Sequence, residues 1–517
     1  MDAVSSLSVP DANASLRWRA TPFHLVVGMT LLALALRLFG VSSRPLWLDE
    51  AYTLFFSSRG WHELWTVVPT YETHPPFYYS LVKLWRGLFG ESAVALRSLS
   101  ILFSLAAVPI VAAASFELER QRPTKRPLLR AGIAAFLVAA SPLLVVLGGE
   151  ARPYPLLIFA YAVATLGLLR LMREFRDNGA GGPGSWLLLV AGTELGLWAH
   201  GLGVLYALCL GAALLPAWVN GRTRDRLIRG IGAAAIIALL YLPCLLIIAR
   251  RAGDWGTGWL SWRPDMLLQL VGLYTVPVEV LNISSAFAAL TMVLLAKRAI
   301  QSAVSGMSWN ADRAILLLWL GPPVLAALVS QVAMPIFLPR TLAATLVPAY
   351  LALGSALAAI EQRRERLVLS ATLLVTLLPS AVQIALRASN EQWMEVAAYL
   401  RQHVAPGDEV WLYPNDSALP LRAAGAAMPM RGLPGDYPAI GYDGPIRAGS
   451  PAVVSLTSAD AVAIASNRRN ARVVWLVTRQ SGIFDPEGDM THALARTRRP
   501  GPSQAWGYIE VRPYFRH

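Results

Sequence analysis

LWLDEAYTLFFSSRGWHELWTVVPTYETHPPFYY, Leu46 to Tyr79, follows directly on the first long apolar run of the chain. It sets an acidic pair, Asp49-Glu50, in a bed of Trp, Leu, Phe and Tyr, and then presents Glu72-Thr73-His74-Pro75-Pro76. Carboxylates and a histidine beside a membrane span cost free energy, so they mark a functional site. An acidic pair after a span also fits simple residence in the head-group layer. The further ionisable residues on the same side, described below, weigh against that simpler reading.

Composition decides the class. The 517 residues are 55% hydrophobic and 15% charged, with a mean hydropathy of +0.47, whereas a soluble domain is about 25% charged. The chain therefore reads as a polytopic membrane protein. Its net charge of +13 lies in short basic clusters between apolar runs. That pattern specifies topology and calls for no nucleic acid or other polyanion. Lys83, Lys125 and Lys297 are the only lysines, an arginine bias that points to a GC-rich bacterial genome. Cys209 and Cys244 both lie inside apolar runs, so neither a disulfide framework nor a cysteine metal site is indicated. Arg17 and Arg19 precede the apolar stretch from Phe23 to Phe39, and no small-residue cleavage site follows it. This reads as an uncleaved signal anchor.

A spanning helix needs about 20 mostly apolar residues. By that criterion about eleven spans are expected, at roughly 23–40, 93–115, 131–148, 155–172, 186–200, 202–218, 231–249, 283–297, 314–332, 342–360 and 367–385. Met266 to Leu281 is apolar but interrupted by Pro277 and Glu279, and reads as a juxtamembrane or re-entrant piece. Basic clusters follow the second, fourth, sixth, eighth and tenth spans, among them Arg120 to Arg130, Arg170 to Arg176 and Arg222 to Arg229. All fall on the side of Arg17 and Arg19, which the positive-inside rule makes cytoplasmic. The fold class expected is thus an all-α polytopic membrane domain with a small C-terminal α/β periplasmic domain. Its parts are a cytoplasmic tail (1–22), a transmembrane catalytic domain (23–387) with a long first periplasmic loop (41–92), and the periplasmic domain (388–517), all in a bacterial inner membrane.

Within the first loop, Trp61-Leu64-Trp65-Val68 and Phe77-Leu81-Leu84-Trp85-Leu88 keep helical apolar spacing, which predicts two amphipathic helices at the interface. In the tail, Trp393 to Val404 reads as a helix. Glu409 to Tyr413, Arg472 to Thr478 and Tyr508 to Pro513 read as strands.

With that topology, ionisable residues collect on the periplasmic side. The first loop holds Asp49, Glu50, Glu72, His74 and Lys83; Glu150-Ala151-Arg152-Pro153-Tyr154 lies between two spans; His200 sits in WAHGLG and Arg340 in IFLPRTL; Arg97 is near the end of the second span. Each has a plainer explanation. Glu150 and Arg152 fit a local ion pair, His200 a satisfied core histidine, Arg340 a snorkelling side chain, and Arg97 a partner for a nearby carboxylate. Taken together they suit another chemistry: carboxylates for proton transfer, and arginine forks with His or Lys for a phosphate.

The motifs LDEAY, HPPFYY, EARPYPL, WAHGLG and PRT, with Pro348 in the following helix, resemble those of the GT-C superfamily of membrane glycosyltransferases. The resemblance is to the family 39 branch, which holds protein O-mannosyltransferases and the aminoarabinose transferases acting on lipid A. It covers about residues 20–390; the tail is similar to the family's variable periplasmic domains in placement alone. The resemblance implies a polyprenyl-phosphate sugar donor, a glycan, lipid or protein acceptor, and transfer with inversion. Asp49 would be the general base, with Glu50 as its substitute or its orienting neighbour. Arg152, Arg340, Arg97, Lys83 and His200 would hold the donor phosphate. Glu72, His74, Glu150, Tyr154 and Tyr79 would contact substrate. Some members of the superfamily require a divalent metal on Asp-x-Asp motifs, which the external loops lack; Glu72 and His74 are the candidate ligands should one bind. A transporter or flippase of a polyprenyl-linked or other amphipathic substrate is the competing expectation, and an anchored binding module in the tail is a third.

Overall fold

The computed structural model describes residues 12–220, 223–251, 265–277, 282–305, 308–333, 335–387, 391–442, 450–467 and 471–517. Glu279 and Arg222 lie outside them. The first helices are α1 (Ala12–Leu38), α2 (Leu48–Ser58), α3 (Trp61–Thr66), α4 (Pro76–Phe89) and α5 (Ala93–Gln121). The bundle continues with α6 (Pro127–Ala140), α7 (Pro142–Gly148), α8 (Tyr154–Arg176), α9 (Pro183–Ala199), α10 (Gly203–Val219) and α11 (Arg224–Arg251). Then come α12 (Asp265–Tyr274), α13 (Ile283–Val304), α14 (Ala311–Val332), α15 (Leu346–Ala359) and α16 (Arg363–Leu386).

Among the described residues seven helices are long and apolar enough to cross a membrane, or eight when the pair α6 and α7 is taken as one span. Reaching eleven requires the 17-residue helices α9 and α10 and the apolar part of α1, Pro22–Leu38, to cross as well. Seventeen residues is the short limit for a span. The expected span at 131–148 is bent by 55° between Ala140 and Pro142. Pro142 has no N–H for the helical ladder, and its ring blocks the preceding turn.

α8 is the central helix, buried along nearly all its length and packed against α5, α9 and α10. Glycine lets α9 come close to it. A Cβ at Gly192 would lie 2.5 Å from the Ala164 nitrogen, and one at Gly167 the same distance from the Leu189 nitrogen. Without a hydrophobic drive between helices in lipid, such close backbone packing is what holds them together. At one end of the bundle the basic clusters meet acidic partners: Arg122 with Asp312, Arg130 with Glu119, Arg173 with Glu117 and Arg298 with Glu365. The first-loop helices lie at the other end. Three form where two were expected, because Leu48–Ser58, which carries the acidic pair, is itself helical.

The C-terminal region is an α/β sheet structure. Its strands are β1 (Glu409–Tyr413), β2 (Met430–Gly432), β3 (Val473–Arg479), β4 (Arg499–Pro500), β5 (Gln504–Trp506) and β6 (Ile509–Phe515). The order is β2-β1-β3-β6-β4, with β5 also on β6. β1 runs parallel to β2 and β3, and β6 antiparallel to β3. Every residue of β3 is buried, as a central strand covered on both faces must be. One face packs on Trp393, Val396 and Leu400, the other on Leu456, Ala461 and Leu494. The three expected strands are present within two residues; β2, β4 and β5 are too short to carry an alternating pattern.

Candidate active site

The site is built on the first turn of α2, where consecutive residues point about 100° apart. Glu50 turns inward and is fully buried. Arg97 grips it through Nε at 2.8 Å and Nη2 at 2.6 Å, and the Ala151 N–H donates to the same carboxylate at 2.9 Å. The remaining donors of Arg97 go to the carbonyls of Val41, Arg44 and Pro45. With its guanidinium filled in this way, Arg97 does not fit the expected role of phosphate ligand. Glu50, pinned by Arg97 and the Ala151 N–H, does not fit the expected role of substitute base. They form the floor of the site.

Asp49 points away from Glu50, toward two guanidiniums that do not hydrogen-bond its carboxylate. Arg152 Nη2 lies 3.7 Å and Arg340 Nη2 3.5 Å from its Oδ2. Arg152 is anchored by Nη1, which donates to the Asp49 carbonyl at 3.0 Å, and by Ser100, whose hydroxyl donates to the Arg152 carbonyl. The Arg340 guanidinium sits 5.8 Å over the Trp47 ring and keeps 37% of its side chain exposed. Nε of Arg152 and Nε of Arg340 are buried without a hydrogen-bond partner.

His200 joins them from the end of α9. The Leu202 N–H donates to its Nδ1 at 3.0 Å, which places the ring proton of the neutral imidazole on Nε2. Burial, then His74, Arg152 and Arg340, push its pKa well below the usual histidine value. His200 Nε2 is therefore a neutral donor, and it too is buried without a partner. Its ring meets those of His74 at 4.8 Å and Tyr154 at 5.8 Å.

Glu72 and His74 pair with each other, Nδ1 to Oε1 at 2.7 Å. Burial opposes the charge on Glu72, but the His74 hydrogen bond, the His74 charge and Arg152 outweigh it and hold the carboxyl at about 2. Among the described residues no group of three or more His, Cys, Asp or Glu gathers as a metal-ligand set; Glu72 and His74 pair with each other. Tyr79 is fully buried against Phe56; burial, then the Glu72 charge, push its phenol pKa well up. Lys83 is engaged elsewhere: its Nζ donates to the Arg59 carbonyl at 2.7 Å and lies 5.5 Å from the Trp61 ring. It does not join the ion pairs around Asp49.

Glu150 is half-buried, and burial followed by the charges of Glu50 and Asp49 pushes its carboxyl up to about 8. It lines a cavity of about 380 Å³ together with Arg44, Trp47, Arg97 and Glu391. Glu391 and Asp416, which contact α2 from the C-terminal region, and Arg479, which pairs with both, carry no motif and were not anticipated. Only their long-range partners distinguish them.

No protein-family model and no curated protein matches the chain. Solved structures do. ArnT from Cupriavidus metallidurans superimposes with a TM-score of 0.60 at 13% identity, over 97% of this chain and 98% of that one; its complex with undecaprenyl phosphate gives 0.59 at 13%, over 94% and 97%. The Archaeoglobus fulgidus oligosaccharyltransferase gives 0.56 at 14%, over 95% and 74%. The mycobacterial arabinofuranosyltransferase AftD gives 0.52 at 17%, over 99% of this chain but 40% of its own. Over nearly its whole length, this chain shares the fold of ArnT and of the archaeal oligosaccharyltransferase.

Proposed function

We propose that the protein is an inverting glycosyltransferase that moves a sugar from a polyprenyl-phosphate donor to an acceptor hydroxyl or phosphate at the periplasmic face of a bacterial inner membrane. In this reading eleven segments cross the membrane and residues 388–517 form a periplasmic domain. The fold is shared with proteins solved with undecaprenyl phosphate and dolichol phosphate bound. The observation that carries the proposal is that, among the described residues, Nε of Arg152, Nε of Arg340 and Nε2 of His200 are all buried without hydrogen-bond partners. Unmet buried donors are expensive, and a phosphate supplies several acceptor oxygens at once.

The acceptor oxygen attacks the anomeric carbon as the bond from that carbon to the phosphate oxygen breaks. Polyprenyl phosphate departs with the bonding electrons and gains one negative charge. Arg152 and Arg340 neutralise that charge where it grows and His200 donates a hydrogen bond to it, which is the part of binding that speeds a reaction. Asp49 takes the proton of an acceptor hydroxyl. An incoming phosphate competes for the guanidiniums that now flank Asp49, leaving its carboxylate free for that proton. Glu72 holds His74 against His200, and Tyr154 closes the other side of that ring. Glu50 and Arg97 support the turn from beneath and touch no substrate.

The test is mass spectrometry of envelope glycolipids and glycoproteins from a strain lacking the gene. One sugar is expected to vanish, and to return with the wild-type gene but not with Asp49→Asn inserted at the same level. Restoration by Asp49→Asn would remove Asp49 as the base; an unchanged envelope would favour the transporter.

A further inference from the structure

α2 has no N-cap of its own. Trp47 stands at its cap position and makes no side-chain capping bond. The Leu48 N–H, one of the orphan donors of a helix start, instead donates to Glu391 Oε2 at 2.9 Å, across 343 residues of chain. Trp393 Nε1 donates to the same oxygen at 2.9 Å and fixes the carboxylate's direction. Arg479 lies 3.9 Å from the other Glu391 oxygen and donates to both oxygens of Asp416, at 3.3 and 3.1 Å. Asp416 closes the circuit, accepting from the Tyr52 hydroxyl at 2.6 Å. Leu48 and Tyr52 are one turn apart and flank Asp49. Tyr437 braces the same helix, its ring 5.4 Å from Tyr52 and 5.2 Å from Phe55. Glu391, Asp416 and Arg479 are all buried.

We propose that Glu391, Asp416 and Arg479 are positioning residues, through which the C-terminal region sets the first turn of α2 and thereby aims Asp49. The proposal rests on the reading of Asp49 as proton acceptor. Its physical basis is that burying three charges has a large desolvation cost, so this circuit is a poor way to add stability and a good way to define one geometry. Asp49 stands 3.5 and 3.7 Å from its two arginines, and among the described residues no hydrogen bond locks its carboxylate. A carboxylate at a helix start is also favoured by the helix dipole, so Glu391 suits the cap better than a neutral group. The C-terminal region thus acts on the chemistry without supplying a reacting atom.

The test uses the full chain in detergent with Glu391→Ala, Glu391→Gln and Tyr52→Phe, read by amide exchange over Leu48–Ser58, by undecaprenyl phosphate binding, and by turnover of the sugar product identified in the deletion strain. Glu391→Ala is expected to speed exchange in the first turn of α2 and to lower kcat by about ten- to hundredfold, the scale of a small misplacement. Undecaprenyl phosphate affinity should stay within about twofold, a loss confined to the transition state. Glu391→Gln, which keeps an oxygen for the Leu48 N–H, should recover most of kcat. Unchanged exchange or unchanged kcat in Glu391→Ala overturns the proposal, as does a parallel fall in binding and turnover that Glu391→Gln fails to relieve. If Glu391→Ala does not fold, Tyr52→Phe, which deletes a single hydroxyl, carries the same two criteria. Asp49→Asn leaves the circuit whole; turnover in that variant would sink the base assignment, while the exchange data would still judge the circuit.

Discussion

Arg97 and Glu50 form a doubly hydrogen-bonded ion pair, 2.8 and 2.6 Å long, with 2% and 0% of their side chains exposed. It lies directly beneath the turn that presents Asp49. Removing one partner strands a buried charge. Arg97→Ala is expected to lose about 3–5 kcal/mol of stability, measured as a lowered unfolding midpoint in detergent. Replacing both residues with apolar side chains of similar size should recover most of that loss, because the stranded charge goes too. A midpoint unchanged in Arg97→Ala would show that water reaches the pair.

Donor affinity should depend on the unpartnered donors. Arg340→Ala is expected to weaken undecaprenyl phosphate binding by about ten- to hundredfold, the range for a charged hydrogen bond. His200→Ala, a neutral donor lost, should cost about three- to tenfold. Arg340→Lys should not restore binding, since a point charge does not reproduce a planar fork. Calorimetric titration checks all three; wild-type affinity in Arg340→Ala would sink the phosphate assignment.

Glu150 makes a prediction about pH. Its folded value of about 8 lies above the ordinary 4.5, so between those two values the folded state holds the extra proton. Stability from this group is full below 4.5 and falls as pH rises toward 8. Above 8 the new charge also repels an incoming phosphate. Glu150→Gln should flatten the decline of stability between pH 4.5 and about 8, and the decline of undecaprenyl phosphate affinity as pH passes about 8. An identical pH profile in wild type and variant would exclude Glu150 as its source.

Topology is testable at Gly435. An added Cβ there meets only the Ala439 Cβ, at 3.8 Å, so Gly435→Cys should fold normally. Cys209 and Cys244 are buried and give little background. A membrane-impermeant thiol reagent is expected to label this variant in intact spheroplasts; labelling confined to lysed cells would invert the proposed orientation.

Much of the architecture was legible because it is local. Apolar runs and their spacing place α8, α14 and α16 within about four residues and mark the starts of α5 and α13, since a helix in lipid must satisfy its own backbone. Alternation and β-branched residues located β1, β3 and β6. The 55° bend at Pro142 was missed because an apolar count is blind to a lost N–H. The α2 helix was missed because its cap is Glu391, far along the chain, and no capping residue precedes Leu48.

The amino-acid order by itself determined that this is a membrane protein, where its helices run, and that Asp49, Arg152, His200 and Arg340 belong to one end of the bundle. The tertiary structure decided what each of them faces. Asp49 and Glu50 are neighbours, indistinguishable by type or spacing, yet the helix turns them apart, and packing against the Ala151–Arg152 turn buries one under Arg97 and leaves the other between two arginines. Arg97 and Arg340 are alike in composition too; which is saturated depends on carbonyls and carboxylates brought to it from other segments. Hydrogen-bond saturation is a property of three-dimensional neighbours, and no local pattern encodes it.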